Sequence, residues 1–264
     1  MNTVERREQI IDLLCKEGAV SVNHLSALYG VSTVTIRNDL GYLEKKGCLL
    51  RSYGGAILNK QFAFDRPLQD KGRMNYDVKN AIARQAAEMV EDGDRIILDS
   101  GSTTTQMVPY LHNKRNLIVM TNAINIAYDL ITNTDIEVMV VGGNVRKNAY
   151  SISGPTVEQY LRMYRFDKLF LGVDGFDLKA GITTPNLAEA HLNRVMCEVS
   201  QEVIAVTDSS KFDLKSFCMI CEIERINSVV TDSQIPEHYF TTLRERGVKV
   251  VISEPEKNNF KSIN

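Results

Sequence analysis

The chain has 264 residues and a formal net charge of −2, with 44% hydrophobic and 24% charged residues, which is ordinary for a globular protein. No apolar run approaches a membrane span, and the start MNTVERREQII lacks the apolar core of a secretion signal, so we expect a cytoplasmic protein. The five cysteines are odd in number and scattered, which disfavours a disulfide framework. Cys218 and Cys221 are the only close pair along the sequence, so neither a metal site nor any cofactor is expected.

The first thirty residues predict two short helices. Ile10 and Leu14 follow helical spacing, and Gly18 ends the first helix. Ser21 is placed to cap a second helix, which Gly30 ends. Residues 1–60 carry eight Lys or Arg against six Asp or Glu, and this small positive excess is by itself weak support for nucleic-acid binding.

A third helix and a hairpin complete this region. Ser32 is a good N-cap, and Ile36, Leu40 and Leu43 recur at i, i+4 and i+7, which gives one buried stripe. The segment CLLRSYGGAIL then predicts two short strands joined around its glycine pair. The order helix, helix, ribbon predicts a winged helix-turn-helix over residues 1–58, whose second helix would lie in the major groove of operator DNA.

The outward face of this helix is opposite Ile36. An arginine there can pair with guanine and an asparagine with adenine, while hydroxyls and the ribbon suit phosphate or the minor groove. A solvated polar face is the alternative from the pattern alone. The predicted DNA-contacting residues are Ser32, Thr33, Thr35, Arg37, Asn38, Arg51 and Tyr53.

Residues 59–75, NKQFAFDRPLQDKGRMN, are polar, show no clean period and contain Pro67 and Gly72. We therefore predict a linker. From residue 76 the pattern changes to helical stretches that alternate with short β-branched runs. This alternation predicts an α/β domain over 76–264, with a largely parallel sheet covered on both faces and a ligand beyond the carboxyl ends of its strands. The predicted strands are 95–98, 116–121, 136–142, 168–174, 202–207, 226–231 and 248–253.

The segment LDSGSTTTQ follows the first of these strands. It has one glycine, so it is neither a dinucleotide-binding nor a P-loop motif. Hydroxyls and free amides at a helix start suit a phosphate, although a capping cluster without a ligand fits the loop equally well. Pro109 should shorten or kink the helix that follows. The predicted phosphate-binding residues are Asp99, Ser100, Gly101, Ser102, Thr103 and Thr104.

Other predicted strands also end in ligand-type side chains. Each has an alternative interpretation as a turn, a cap or a surface charge, but together they favour a sugar phosphate. These residues are Thr121, Asn122, Gly143, Arg146, Asp174 and Lys211.

The segment VSTVTIRNDLGYLEKKGCLLRSYGGA resembles the helix-turn-helix and wing signature of the DeoR family of bacterial transcription regulators. Asn38 stands where that family often has a second basic residue. The pieces D-S-G-S-T-T, T-N, V-G-G, LFLGVDGFDLKAGITTPNLAEAHLNRVM and TDSSKF resemble the same family's effector domain, so the resemblance covers nearly the whole chain. Within the family, the segments SALYGVSTVTIRNDL, GVD and VTDSSKF resemble the branch that controls N-acetylgalactosamine use.

The resemblance implies a sugar-phosphate-isomerase-like fold, similar to ribose-5-phosphate isomerase, in which residues 99–104 hold phosphate and Asp174, Glu189 and Lys211 face the sugar. It implies a repressor of a sugar or amino-sugar catabolic operon. Because a single helix-turn-helix has a small footprint on DNA, we expect a homodimer or homotetramer. We expect a phosphorylated sugar to release it, with galactosamine 6-phosphate and N-acetylgalactosamine 6-phosphate as the candidates. The alternative is a sugar-phosphate isomerase or aminosugar-phosphate deaminase with an appended DNA-binding module. A sensor is favoured, because a fused DNA reader is useful only if occupancy of the site matters.

Overall fold

The structure is a computed structural model that describes residues 2–45, 48–59 and 65–254. Its N-terminal unit contains three helices and one antiparallel sheet with β3 in the centre. This arrangement confirms the predicted winged helix-turn-helix. The elements are α1 (Thr3–Glu17), β1 (Ala19–Ser21), α2 (Val22–Tyr29), α3 (Thr33–Lys45), β2 (Leu49–Ser52) and β3 (Gly55–Leu58).

The caps of these helices are those that the sequence predicts. Gly18 and Gly30 adopt left-handed backbone conformations (φ 74° and 63°) that end α1 and α2. The Ser21 side chain accepts a hydrogen bond from the backbone of His24, and Ser32 Oγ accepts one from the N–H of Thr35 at 3.1 Å. Local sequence therefore sets the length and entry angle of both helices of the motif.

A six-residue helix, α4 (Leu68–Arg73), lies within the segment predicted as a linker. None of its residues is fully buried. The polar composition that hid this helix from the pattern also keeps it on the surface.

The remainder is built on a seven-stranded sheet, and its neighbouring strands pair in parallel throughout. All seven predicted strands are members of it, in the order β15-β14-β12-β9-β4-β5-β6. Their bounds are β4 (Arg95–Leu98), β5 (Ile118–Thr121), β6 (Glu137–Val140), β9 (Phe166–Gly172), β12 (Ser200–Val206), β14 (Ser228–Asp232) and β15 (Lys249–Ser253).

Helices cover both faces of this sheet. Along β9, Phe170 joins one apolar cluster while Leu169 and Leu171 join the other, so each face has its own core. The helices are α5 (Tyr76–Glu88), α6 (Ser102–Thr105), α7 (Ile124–Asn133), α8 (Pro155–Leu161), α9 (Leu187–Val199) and α10 (Glu237–Glu245).

Two small antiparallel sheets lie beyond the main one, and the sequence did not predict them. They consist of β7 (Asn144–Arg146) with β8 (Ser151–Ser153), and of β10 (Gly175–Asp177), β11 (Gly181–Thr184) and β13 (Cys218–Cys221). Both supply loops close to the carboxyl ends of the central strands.

The expected effect of Pro109 is confirmed. Helix α6 stops at Thr105, and Pro109 lies in a separate 3-10 turn, Val108–Tyr110. Among the described residues, no helix is long and apolar enough to cross a membrane.

The chain order along the sheet reverses between β4 and β9. From β4 the strands continue to β5 and β6 on one side, and from β9 to β12, β14 and β15 on the other. Loops that leave the carboxyl ends of two such strands diverge to opposite faces and open a crevice, where ligands bind in open α/β sheets. The DSGST loop after β4 and Asp174 after β9 both lie at this crevice.

Candidate effector site and nucleic-acid interface

The DSGST loop is braced from the neighbouring strand. The side-chain oxygen of Asn122 accepts the backbone N–H of Ser100 at 2.9 Å, and its amide nitrogen lies 3.2 Å from Ser100 Oγ. Thr121 donates its hydroxyl to the carbonyl of Leu98 at 2.7 Å. Both Thr121 and Asn122 are completely buried, so they support the loop from behind.

Gly101 lies where the loop passes closest to β9. A Cβ at this position would lie 3.0 Å from Thr104 Oγ1 and 3.7 Å from the Cα of Gly172, so two glycines face each other across the crevice. Thr104 donates its hydroxyl back to the carbonyl of Gly101 at 3.0 Å and is fully buried, so it caps the turn. Because α6 has only four residues, its dipole is weak, and the loop amides and hydroxyls would provide most of any anion binding.

Asp174 is held by a cation and a hydroxyl. Its Oδ1 accepts from Lys71 Nζ at 2.7 Å, and its Oδ2 accepts from Thr184 Oγ1 at 3.0 Å. Burial raises the pKa of the Asp174 carboxyl, but Lys71, together with Lys211 and the Thr184 hydroxyl, outweighs burial and holds that pKa below its usual range. Asp174 is therefore an anion at neutral pH.

Glu189 lies in the first turn of α9. Its Oε1 accepts the hydroxyl of Ser151 at 2.7 Å and forms an ion pair with Arg146, which also pairs with Asp65. Arg146 thus spans two carboxylates at the rim. Gly143, on the same β-hairpin, is a packing glycine, because a Cβ there would lie 2.7 Å from Val157.

Three lysines reach the crevice. Lys79 donates to the backbone carbonyl of Lys71 at 2.5 Å and lies 4.0 Å from Asp208, while Lys211 follows Asp208 in a short 3-10 turn. Lys79 is 3% exposed, and its burial lowers its pKa to about 8 against the opposing effect of Asp208, with Lys211 adding to the lowering. These cations make the part of the cavity that they line favourable for an anion.

Asp99 lies at the floor of the site. Its Oδ2 accepts from the N–H of Gly172 at 3.2 Å and from Asn193 Nδ2 at 3.3 Å. Its Oδ1 and the side-chain oxygen of Asn193 are both buried, and neither has a hydrogen-bond partner among the residues that the structure describes. Burial, and then the charge of Glu189, raise the pKa of Asp99 to about 8. A proton on Oδ1 turns one of the two orphan acceptors into a donor, so the geometry also favours the neutral acid.

These groups enclose a cavity of about 50 Å³. Eight predicted effector-site residues line it: Asp99, Ser100, Gly101, Ser102, Thr103, Asp174, Glu189 and Lys211. Five other predicted residues lie behind or beside the lining that the described residues form: Thr104, Thr121, Asn122, Gly143 and Arg146.

The sequence interpretation missed several lining residues, among them Arg66, Lys71, Lys79, Thr184, Asn193 and Asp208. A signal existed for Lys79, because it shares the inward stripe of α5 with Ile82, Ala83 and Ala86. A lysine on the apolar side of an amphipathic helix suggests a buried partner. Lys71 had no comparable signal.

The predicted DNA-contacting residues lie on one side of the N-terminal unit. Arg37 and Asn38 are exposed on α3, and Tyr53 is fully exposed at the hairpin tip beside Arg51. Ser32 and Thr35 share a hydrogen bond of 2.9 Å at the start of α3, with Thr33 partly exposed between them. This surface offers hydroxyls, an amide and two guanidinium groups, together with the exposed apolar groups of Val34 and Tyr53.

The inner side of α3 carries a buried carboxylate whose role the sequence did not reveal. Asp39 is 1% exposed and accepts from Arg6 Nε at 2.7 Å and from Arg7 Nε at 2.8 Å. The Arg7 guanidinium also lies over the ring of Tyr42, 3.8 Å from its centroid. These contacts fix α3 against α1 and so fix which side chains face outward.

Comparisons with known proteins agree with this architecture. The family models for the DeoR-like helix-turn-helix domain and the DeoR C terminal sensor domain match residues 6–62 and 74–233. A proposed aga operon transcriptional repressor of Escherichia coli O157:H7 is 45% identical over 95% of this chain and 94% of its own length. The regulator GlpR of Haloferax volcanii is 33% identical over 95% of this chain and 98% of its own length.

Among solved structures, a ribose 5-phosphate isomerase from Methanocaldococcus jannaschii matches 52% of this chain and 55% of its own, with a TM-score of 0.40 and 18% identity. At that score the likeness carries no argument about function. The helix-turn-helix unit and the sensor domain together define a DNA-binding transcriptional regulator. The chain belongs to the DeoR family.

Proposed function

We propose that this regulator represses a sugar-catabolic operon and leaves its operator when a phosphorylated sugar occupies the cavity at the β4–β9 crevice. The observation that carries the proposal is one cavity in which the Ser100–Thr103 loop faces Lys79 and Lys211. Loop amides and hydroxyls with two cations suit a phosphate, while Asp174 and Glu189 can accept from sugar hydroxyls or an amino group.

An aminosugar 6-phosphate is the effector that we propose first. Two carboxylates beside a phosphate-type loop favour a ligand that is anionic at one end and rich in donors at the other. The relative named for the aga operon supports galactosamine 6-phosphate or its N-acetyl form.

A sugar-phosphate isomerase or deaminase is the second candidate. It is favoured by the buried carboxyl of Asp99, whose pKa is raised to about 8 by burial and then by the charge of Glu189. Against catalysis, Glu189 already pairs with Arg146 and accepts from Ser151, which is an arrangement for holding a charge rather than for moving a proton. Turnover of hexose phosphates by the purified chain would support the enzyme.

The test is a reciprocal titration of the full chain. Operator DNA is first selected by the protein from a random pool, and its binding is followed by fluorescence anisotropy with phosphorylated and unphosphorylated amino sugars. The phosphorylated sugar should weaken DNA binding, and DNA should weaken sugar binding by the same factor, within the coupling of about 1–3 kcal/mol typical of allosteric proteins. Equal release by the unphosphorylated sugar would contradict the role given to the loop.

A pair of glycine variants locates the effect. Gly101→Val should abolish the response and leave DNA binding intact, because a branched side chain would fill the approach to the loop amides. Gly142→Val is the matched control, since a Cβ at Gly142 meets nothing within 4 Å. A response that survives Gly101→Val would place the effector elsewhere.

A further inference from the structure

One wall of the cavity comes from outside the sheet and its helices. Arg66, Leu68 and Lys71 line it, and they belong to α4 and the residues just before it. This segment connects the wing to the sensor domain, with α4 beginning ten positions after β3 ends at Leu58. The cavity wall is thus made in part by the connection to the DNA-binding unit.

Polar contacts hold α4 in place. Lys71 donates to Asp174 at 2.7 Å, and Lys79 donates to the carbonyl of Lys71 at 2.5 Å. The backbone N–H of Leu68 donates to the carbonyl of Asn148 at 2.8 Å. Because no residue of α4 is fully buried, its displacement exposes little apolar surface.

The cavity is too small for the ligand class that its chemistry suits. Its volume of about 50 Å³ compares with several hundred for a typical ligand pocket. We therefore expect a wall to move when such a ligand binds. The strands are fixed by two cores, whereas an open groove of about 580 Å³ runs beside α4. This groove is lined by Gln69, Gly72 and Arg73 of α4 and shares Leu68 and Ser102 with the cavity.

We propose that α4 is a strap over the effector site and that Lys71 is a built-in competitor of the effector for Asp174. A ligand that brings a hydroxyl or an amino group to Asp174 displaces the Lys71 ammonium, and α4 moves into the groove. The displacement of α4 then alters how the sensor domain is connected to the wing. This step links effector binding in the cavity to release of the DNA. The identity of the displacing ligand rests on the proposed function. The closure of the strap by the Lys71–Asp174 ion pair does not.

The mechanism separates two ligands of the same site. Inorganic phosphate can satisfy Lys79 and Lys211, but it is an anion and does not replace the Lys71 cation beside the Asp174 carboxylate, so it leaves the strap closed. A sugar phosphate supplies both a phosphate for Lys79 and Lys211 and a hydroxyl or an amino group for Asp174. Hydrogen exchange at the amides of residues 68–74 should therefore accelerate with galactosamine 6-phosphate and stay slow with inorganic phosphate.

The closure of the strap by the Lys71–Asp174 ion pair is tested first without any ligand. In the full chain, Lys71→Met should accelerate exchange at residues 68–74 by about tenfold. Asp174 keeps Thr184 and Lys211. Helix α4 loses its ion pair and keeps only its hydrogen bonds with Lys79, Asn148 and Tyr150 among the polar contacts of the described residues that hold it. Arg73→Met, which removes an exposed cation from the same helix, is the matched control and should leave exchange unchanged. Equal exchange in Lys71→Met and wild type would overturn the strap.

The competition is tested by calorimetry with galactosamine 6-phosphate. Lys71→Met should bind about tenfold more tightly than wild type if the open state is one part in ten of the wild-type population. Lys71→Arg, which keeps the ion pair, should bind like wild type. Weaker binding by Lys71→Met would make Lys71 a contact for the effector and overturn the proposal. If neither galactosamine 6-phosphate nor any other sugar phosphate binds wild type or Lys71→Met, the proposed function fails. The exchange experiment still tests whether Lys71 holds the strap closed.

Discussion

Substitution of Asp99 by asparagine should stabilise the sensor domain at neutral pH. Asparagine has the shape of the neutral acid. Its oxygen can accept from Gly172 and Asn193 as Oδ2 does now. Its amide nitrogen takes the place of Oδ1 and supplies a hydrogen-bond donor where the buried side-chain oxygens of Asp99 and Asn193 lack one among the described residues. The wild-type carboxyl instead keeps its proton inside the fold until its pKa of about 8.

The size of the effect follows from proton linkage. The folded protein holds a proton that the unfolded chain releases from its ordinary pKa of 3.8 upward, so the wild-type free energy of unfolding falls as the pH rises between about 4 and 8. The slope approaches about 1.4 kcal/mol per pH unit, which sets a ceiling of about 4 kcal/mol at pH 7. Above pH 8 both states are ionised, and the difference becomes constant.

The assay is urea unfolding of wild type and Asp99→Asn at half-unit steps from pH 5 to 8.5. The gain in the variant should grow with pH and then level off. Asp167→Asn is the control, because hydrogen bonds from Arg95 lower the pKa of Asp167, so that this variant should lose stability by an amount that is the same from pH 5 to 8. A gain for Asp99→Asn that does not change with pH would refute a proton on Asp99.

Three further outcomes are expected. Arg37→Ala should weaken binding to the selected operator by about 1–3 kcal/mol in an anisotropy titration and affect random DNA less, because a guanidinium that reads a base carries specificity; equal losses would make Arg37 a phosphate contact. Asp39→Ala should lower the melting temperature of the N-terminal unit, because it leaves Arg6 buried without its anion, a loss of about 3–5 kcal/mol for a buried pair; an unchanged melting curve would contradict the clamp. Analytical ultracentrifugation at micromolar concentration should give the mass of a dimer or tetramer, because two operator half-sites need two helix-turn-helix units. A monomer that binds the operator tightly would contradict this expectation.

The sequence predicts the main sheet well because its central strands are buried on both faces. Such strands give short apolar runs like IIL in β4 and VIAV in β12, and every one of the seven predicted runs is a strand of that sheet. The small sheets escape prediction because β7, β8 and β10 have three residues each, which is too short for a period to show. Helix α4 escapes because its six residues are mostly polar and show no apolar stripe.

The candidate site was predictable only in part. Position after a strand predicts that a residue lies near the crevice, but not whether its side chain faces the cavity or the neighbouring strand. Asp174 faces the cavity, whereas Asn122 turns back to Ser100 and Gly143 packs on Val157. Lys71 was invisible because its partner, Asp174, is 103 residues away along the chain.

The charge balance of the cavity links Asp99 to ligand choice. The described lining holds four cations and four carboxyl groups: Arg66, Lys71, Lys79, Lys211, Asp99, Asp174, Glu189 and Asp208. Because Asp99 is neutral at pH 7, the cations exceed the anions by one, and an anionic ligand is attracted. Above pH 8 Asp99 gains its charge and Lys79 loses its own, which reverses the excess. Affinity for a sugar phosphate should therefore fall steeply through pH 8 in calorimetric titrations, and less steeply in Asp99→Asn, whereas identical pH profiles would show that Asp99 does not contribute to the balance.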